Sequence, residues 1–353
     1  MAEVVITGMG MVTSLGTTAS ETAAAWRAGG TAVRRPLPEL AGSVLENAPA
    51  AVLPEFDPAQ RLGGRRMLKY MSDAAVMGCV AAHEACADAD IKNRFRPERV
   101  GLYAATGLAA AGVKDVVPLI HESTGPDGRF SCRLLGERGL PATNPLLSFK
   151  ILANMPPCLV SIQESIKGPN CIFTPWESQA AAALVEAWQA VAEGEVDCAI
   201  AGAADSPAHP ATFIFLRQAG LLAEDEYPAD GAAYLVFERA ETAHRDTRHI
   251  HAHVAGLRLC RDVPVARLSV PVARLSVPAA RLRRPTGAPP ETEFRRPTGA
   301  SLPARMGRSF AAAPAIMLAL ACLVPQGEVS MRCTDRAVRG EAWEFRAELG
   351  SAA

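Results

Sequence analysis

The sequence predicts an α/β layered fold, in which helices cover both faces of a sheet. Short apolar segments rich in β-branched residues, alanine and glycine recur along the chain, as is typical of strands buried on both faces. Alanine-rich segments with helical periodicity lie between them. The chain has 353 residues, of which 49% are hydrophobic, so it contains ample apolar material for a core.

The elements follow each other as strand and helix alternately. The predicted buried strands include "EVVITG", "RVGLYAATG", "DCAIAGAAD" and "GAAYLVFERA", at residues 3–8, 99–107, 197–205 and 231–240. Helical spacing of apolar residues marks 65–91 and 177–195. The apolar run 310–324 contains a proline and is shorter than the ~20 residues needed to cross a bilayer. We interpret it as a buried core helix, with a membrane anchor as the alternative.

Composition excludes several function classes. The formal net charge of −1 gives no one-signed field for nucleic acid or an anionic membrane surface. The nine cysteines are scattered without a C-x-x-C pair, and the N-terminus lacks the basic start and apolar run of a secretory signal. We therefore expect a cytoplasmic protein with free thiols, no membrane span and no nucleic-acid partner.

The composition of the chain changes after residue 263, where short proline- and arginine-rich segments are duplicated. "PVARLSV" occurs at 264–270 and 271–277, and "RRPTGA" occurs at 283–288 and 295–300. Frequent proline prevents such a segment from forming a layered core, because proline removes backbone donors and fixes φ. We interpret the segment as an irregular, basic insert or linker. A basic patch for an acidic carrier protein is the alternative.

Four segments carry a family signature: "VVITGMGMVTSLG", "FDPAQRLGGRRMLKYMSDAAVMGCVAAHEACADADI", "KGPN" and "GEVDCAIAGAADS". Together they resemble β-ketoacyl synthases, the condensing enzymes of fatty acid and polyketide assembly. The resemblance covers 1–256 and resumes near 305. It divides the chain into a ketosynthase-like region at 1–256, the Pro/Arg-rich insert at 257–304 and a remnant of the C-terminal region at 305–353.

The resemblance implies a thiolase-like αβαβα layered fold with its second half shortened. In that family two similar α/β halves form each subunit, and subunits pair as dimers. A cysteine at the start of a buried helix takes an acyl group from a carrier-protein thioester. Two histidines of the second half then assist decarboxylation of malonyl-carrier protein. We expect the "DCAIAGAAD" strand to form the sheet edge through which subunits associate.

A glutamate occupies the position of the nucleophile. Aligned without a gap on both sides, the turn "TPWESQ" places Glu177 where the family has its cysteine. A carboxylate cannot replace a thiolate in transthioesterification, since the anhydride formed is far less stable than a thioester. Cys171 lies six residues upstream, and we interpret it as a small buried hydrophobic residue on a strand.

The second half lacks the other catalytic groups. Arg308 stands in the place of one histidine, Pro303 in that of a lysine, and an N-A-H-G-T-G-T segment is absent. With three elements missing, independent chemistry is not expected. The resemblance places Phe173, Trp176 and Phe310 at the substrate pocket. Because Glu177 and Arg308 have opposite charges and would face each other, we predict an ion pair between them.

The resemblance therefore implies a non-catalytic, chain-length-factor-like subunit. Its partner would be an active ketosynthase in a heterodimer, or a second copy in a homodimer, together with an acyl carrier protein. The alternatives are an unconventional synthase, acyltransferase or malonyl decarboxylase, and a degenerate inactive copy. No cofactor and no metal are expected, because the alternating His249, His251 and His253 suit an exposed strand face better than a metal site.

Overall fold

An eight-stranded mixed sheet organises the fold, with the order β5-β4-β6-β7-β1-β8-β10-β9. The computed structural model describes residues 2–108, 111–262, 305–324, 329–335 and 341–350. A separate two-stranded sheet pairs β2 with β3. The strands are β1 Val4–Val12, β2 Arg34–Pro36, β3 Pro49–Ala51, β4 Val100–Thr106, β5 Asn170–Phe173, β6 Cys198–Asp205, β7 Gly231–Arg239, β8 Ala252–Asp262, β9 Val329–Asp335 and β10 Glu341–Gly350.

Helices of very different length connect the strands. The longest are α3 and α10, and several of the others are single turns. The α-helices are α1 Ala19–Arg27, α2 Pro58–Arg61, α3 Asp73–Asp88, α4 Ile91–Arg94, α5 Val113–Glu122, α6 Cys132–Leu134, α7 Leu140–Ala142, α8 Leu147–Ile151, α9 Met155–Glu164, α10 Glu177–Glu193, α11 Pro210–Gln218, α12 Ala240–Arg245 and α13 Ala313–Leu323. A π-helical turn, Leu135–Gly139, joins α6 to α7. Short 3₁₀ turns cover Pro38–Leu40, Leu68–Tyr70, Pro97–Arg99 and Phe310–Ala312.

The predicted buried strands are confirmed, because β1, β4, β6 and β7 coincide with the four apolar segments. Every residue of β1, β4 and β6 is buried. Successive side chains of β6 pack against helices on opposite faces of the sheet: Ala201 packs toward α10, whereas Ile200 packs toward α3. The sheet is parallel between β4 and both of its neighbours, and antiparallel elsewhere.

Helices cover both faces of the sheet, so the predicted α/β layering is confirmed. On one face α3 and α9 pack against β4, β6 and β7. On the other face α10 and α13 pack against the same strands and β1. The extension formed by β8 and β10 also packs against this second pair of helices, through residues such as Leu257 and Phe345. Helices α10 and α13 therefore pack both against the central strands and against the β8–β10 extension of the same sheet.

The prediction that the "DCAIAGAAD" strand forms an edge of the sheet is wrong. The strand of the "DCAIAGAAD" segment, β6, lies inside the sheet with β4 on one side and β7 on the other. Within the residues described, the sheet ends at β5 and at β9. The expectation failed because β4 connects to β5 on one side, and β5 returns across β4 to β6, a crossover that local sequence does not encode.

The edge position of β5 also changes the interpretation of Cys171. The residue does lie on a strand before the turn, as predicted, but its side chain is exposed rather than buried. The reason is that, among the residues described, β5 has a hydrogen-bonded neighbour on one side alone. Its thiol is therefore open to reagents in the isolated chain.

The region after β8 is described only in part. Strand β8 continues to Asp262, beyond the predicted boundary at 256, and the remainder of the proline- and arginine-rich segment falls outside the described residues. The apolar run that follows it forms a 3₁₀ turn and α13, both buried in the core, which confirms the predicted core helix. Among the residues described, no helix has the length and apolar character required to cross a bilayer.

Candidate functional site

Glu177 is the first residue of α10, directly after the residue that caps this helix, Trp176. Strand β5 and the turn at Thr174–Pro175, which contains a cis peptide bond, lead into it. The first-turn N–H groups of a helix lack intrahelical acceptors and carry the positive end of its dipole, which favours a carboxylate here. The side chain of Glu177 is nonetheless nearly enclosed, with 6% of its surface exposed.

The predicted ion pair between Glu177 and Arg308 is present, with 3.2 Å between Oε1 and Nη2. The other terminal nitrogen of Arg308, Nη1, lies 2.7 Å from Oε1 of Glu226, so the guanidinium bridges two carboxylates. The side chain of Arg308 is 18% exposed. We call Glu177, Arg308 and Glu226 the Glu177 site.

The loop before β7 fixes Arg308 in place through its backbone. The N–H of Arg308 donates to the carbonyl of Tyr227, and the N–H of Ala229 donates to the carbonyl of Arg308, at 2.9 and 3.0 Å. Gly307 precedes Arg308 with φ +87°, and a Cβ there would come within 2.7 Å of the Cβ of Ala229. Only glycine suits this approach. The segment that supplies Glu226 therefore also orients its partner.

Electrostatics favour the charged forms of Arg308 and Glu226. Burial opposes the charge of Arg308, but the carboxylates of Glu177 and Glu226 outweigh it and raise the pKa of the guanidinium above its ordinary value. Burial also acts against ionised Glu226, yet the Ala223 N–H and Arg308 together lower the pKa of its carboxyl. Arg308 consequently stays a cation, and Glu226 stays a carboxylate, at neutral pH.

Of the three residues predicted at the substrate pocket, Trp176 and Phe310 pack in the same cluster, whereas Phe173 does not. Trp176 and Phe310 belong to one apolar cluster. The guanidinium of Arg308 lies 5.0 Å from the centroid of the Phe310 ring. Phe173 packs elsewhere, against the core around α10. The other members of the cluster come from loops and from α11, and include Leu40, Phe213, Leu216 and Leu222.

Sequence reasoning missed three carboxylates near this site. Glu226 lies in a polar loop and carried no signal. Asp205, in contrast, ends the apolar segment of β6, and Asp230 directly precedes that of β7. An aspartate next to an apolar strand could have been recognised in the sequence as a candidate for burial. Burial raises the pKa of Asp205 well above its ordinary range, opposed by the Ala311 N–H, which donates to its Oδ2 at 3.0 Å. Nearby negative charges, including Glu177, raise it further.

Asp230 gives a test of this burial. Burial raises the pKa of its carboxyl from 3.8 to about 7, opposed by the N–H of Ala208. Between pH 4 and 7 the folded state keeps a proton that the unfolded state has lost, so stability falls as pH rises through this window. We expect Asp230→Asn to reduce the pH slope of unfolding free energy there by about one proton equivalent, and to stabilise the protein at pH 8. Urea unfolding at several pH values measures the slope, and an unchanged slope would contradict the assignment.

The histidines of 244–253 make ion pairs or ring contacts. His251 lies 2.7 Å from Asp88, and His253 lies 2.7 Å from Glu3. His249 packs edge-on against His251, with ring centroids 4.5 Å apart. Within the described part of the chain, no group of three or more histidine, cysteine, aspartate or glutamate side chains is arranged to hold a metal ion.

Comparison with known sequences gives a family match over the N-terminal part. Residues 1–241 match the model of the β-ketoacyl synthase N-terminal domain. The chain is 24% identical over 207 residues to 3-oxoacyl-[acyl-carrier-protein] synthase 1 of Haemophilus influenzae, which covers 58% of this chain and 47% of that protein. The chain thus spans about half the length of this curated relative.

Solved structures share the fold. The ishigamide ketosynthase/chain length factor superposes with a TM-score of 0.71 at 19% identity, over 100% of both chains. A type II polyketide synthase acyl-carrier protein in complex with its ketosynthase gives a TM-score of 0.57 at 17% identity, over 74% of this chain and 69% of that one. At these identities the similarity concerns the fold.

Proposed function

Because this chain belongs to the β-ketoacyl synthase family, we propose that it is a non-catalytic ketosynthase-like subunit of the chain-length-factor type. In this proposal it pairs with an active β-ketoacyl synthase that works on carrier-bound acyl chains in fatty acid, polyketide or aryl-polyene type assembly. The observation that carries the proposal is the ion pair between Glu177 and Arg308. It occupies the place where the family has its nucleophile and one of its histidines.

The pairing leaves Glu177 unsuited to nucleophilic catalysis. Covalent catalysis needs a nucleophile activated by a base or by a lowered pKa. Here the carboxylate is held by a guanidinium that has no acceptor atom and keeps its proton. An acyl–carboxylate adduct would moreover be an anhydride, which water hydrolyses more readily than the thioester donor. The site supports a role in structure rather than in acyl transfer.

The apolar cluster beside the ion pair supports the same role. Trp176, which precedes Glu177 in the chain, and Phe310 pack with Phe213 and Leu40 in one apolar cluster. A chain without an acyl pocket of its own can still line a pocket of its partner across an interface. The acyl chain would then reside in the partner subunit.

Two surface features suit such a partner. Strand β5 is an open edge of the sheet within the described residues, and an unpaired edge invites pairing with another chain. Helix α5 has no buried residue, although it carries Val113, Val117 and Ile120 on its surface. Exposed apolar groups of this kind are typical of protein interfaces. We assign β5 and α5 to the ketosynthase interface, with a second copy of this chain as the alternative occupant.

Val117→Glu tests this interface. Placing a charge at the centre of an apolar contact should weaken the complex with a co-expressed ketosynthase at least about tenfold, equivalent to 1.4 kcal/mol. Val44→Glu is the matched control, because Val44 is 98% exposed and lies on a different loop. Affinity co-purification followed by light scattering measures both. A monomer that stays soluble at high concentration, alone and with ketosynthases, would contradict the assignment.

The isolated chain should not form an acyl thioester. When it is offered acyl-carrier protein or acyl-coenzyme A, we expect no hydroxylamine-sensitive adduct on any cysteine, because Glu177 replaces the thiol of the family. Intact-mass spectrometry with peptide mapping measures this. Cys171 is the cysteine most open to acylation, since its thiol is exposed and lies near the turn that leads to Glu177. Cys171→Ser is therefore the control. A stable thioester on Cys171 would overturn the non-catalytic role.

A further inference from the structure

A small cavity with both polar and apolar walls lies outside the carboxyl ends of two adjacent parallel strands, β4 and β6. Its polar walls include Thr106 at the end of β4, Ser206 directly after β6, Lys150 of α8, and Ser72 and His209 from loops. The chain leaves β4 toward α5 and leaves β6 toward α11. In α/β sheets, ligand and catalytic sites favour crevices at the carboxyl ends of strands where connections diverge in this way.

Ser206 and His209 stand on one tight turn between a strand and a helix. The N–H of His209 donates to the carbonyl of Ser206 at 3.1 Å, which closes the turn and keeps the two Cα atoms within about 7 Å. Helix α11 begins at Pro210. Its first-turn amides lack intrahelical acceptors and present the positive end of its dipole. A serine at a strand-to-helix turn is the arrangement that exposes nucleophiles in α/β hydrolases.

The polar atoms of both side chains lack partners. Among the described residues, neither Oγ of Ser206 nor Nδ1 of His209 has a hydrogen-bond partner, although both atoms are buried. Ser206 is 8% exposed. A buried polar atom without a partner costs about 1–3 kcal/mol, so two of them beside one cavity call for a bound group or a functional reason.

The tautomer of His209 is fixed by its other nitrogen. Nε2 lies 2.7 Å from the carbonyl oxygen of Ala111, and a carbonyl can only accept, so Nε2 carries the hydrogen. In the neutral ring Nδ1 therefore has a free lone pair and can accept a proton. A base whose second nitrogen is held by an acceptor is the arrangement that orients catalytic histidines.

We propose that Ser206 and His209 form a nucleophile–base pair that cleaves esters or thioesters of short acyl groups, at a site separate from Glu177. The tight turn places both side chains at the wall of the same cavity. The burial of both atoms restricts the acyl group to a short one. This activity is independent of the proposed function, because the chemistry uses neither Glu177 nor a partner subunit.

The reaction is hydrolysis in two stages. Oγ of Ser206 forms a bond to the acyl carbon while its proton passes to Nδ1 of His209, and the carbonyl electron pair moves onto oxygen. Collapse of this intermediate expels the alcohol or thiol, which takes the proton from Nδ1. Water then attacks the serine ester, again giving a proton to Nδ1, and release of the acid restores Ser206. Lys150 lines the same cavity as an ion pair with Asp115, 2.7 Å from its Oδ2, and is the cation nearest the developing oxyanion among the residues that line the cavity.

The test uses the complete chain with p-nitrophenyl acetate and a fluorophosphonate probe. We expect hydrolysis of the acetate with an initial burst, and probe attachment at Ser206 in the unmutated protein, located by peptide mass spectrometry. Ser206→Ala should abolish labelling. His209→Gln should slow hydrolysis by about 100-fold or more, the contribution of a positioned general base. His121→Gln is the matched control, because the His121 side chain is 81% exposed, and it should leave the rate unchanged.

Labelling of the unmutated protein does not depend on how well a variant folds, and thermal unfolding reports the state of each variant. Attachment of the probe to another residue would overturn the proposal. So would an acetate hydrolysis rate in Ser206→Ala equal to that of the unmutated protein, the result expected if the two atoms only share a bound water. A defect of complex formation leaves this readout unaffected, so the proposed subunit role and this activity fail separately.

Discussion

Arg308→Met is expected to lower the free energy of unfolding by about 3–5 kcal/mol. Removing one partner of a buried ion pair strands the opposite charge, and that cost exceeds the net value of the pair. Here two carboxylates lose their cation at once, because Arg308 bridges Glu177 and Glu226. Backbone bonds to Tyr227 and Ala229 remain in the variant, so the loss reports on the guanidinium. Urea unfolding at pH 7 measures the change.

Neutralising both carboxylates should recover most of this loss. We expect the triple variant Glu177→Gln, Arg308→Met, Glu226→Gln to be close to the unmutated protein, because no buried charge is left unpaired. Glu177→Gln with Arg308→Met should recover only part, since Glu226 stays charged. Arg133→Met is the surface control: Arg133 pairs with Glu137 one helical turn away in an exposed setting, a contact worth about 0.5 kcal/mol. An Arg308→Met effect as small as this control would show that the Glu177 site is not a stabilising element.

Glu177→Cys is expected to permit at most acylation, without condensation. A thiol at the first position of α10 would gain the helix dipole and the nearby guanidinium, both of which favour a thiolate. Decarboxylation of malonyl-carrier protein needs further groups, and in the proposed alignment with the family Arg308 stands at one histidine position and the sequence has no N-A-H-G-T-G-T segment for the other. Because a general acid–base group contributes about 10²–10⁴, we expect condensation at least about 10⁴-fold below that of an active synthase.

Mass spectrometry of the protein and of the carrier-bound product separates these two steps. Glu177→Cys with Arg308→His is the matched control, which returns one histidine and should still yield no β-ketoacyl product. Release of such a product by Glu177→Cys alone would mean that the remnant of the second half retains catalytic groups.

Much of the site was open to prediction from the sequence, but not its full composition. Aligning the turn with the family singled out Glu177 as the residue at the nucleophile position. The ion pair with Arg308 was predicted because the two residues have opposite charges and occupy positions that face each other in the family. Glu226 could not be foreseen, because it lies in a polar loop whose path is set by Arg217, which donates to several carbonyls of that loop. Phe173 packs toward α10 rather than with Trp176 and Phe310, and which face of the sheet a given strand residue meets depends on the strand register and packing of the whole chain.

Local sequence is enough to predict the buried strands, the two long helices, the apolar helix α13 and the carboxylate at the start of α10. These features depend on periodicity and composition within a few residues, which local sequence encodes directly. Three features are visible only in the folded chain: β6 lies inside the sheet and β5 at its edge, Arg308 has two acidic partners, and Ser206 and His209 share a cavity with Lys150. Strand order and such contacts join segments tens of residues or more apart, and they arise from the crossover paths and packing of the whole chain rather than from any one stretch.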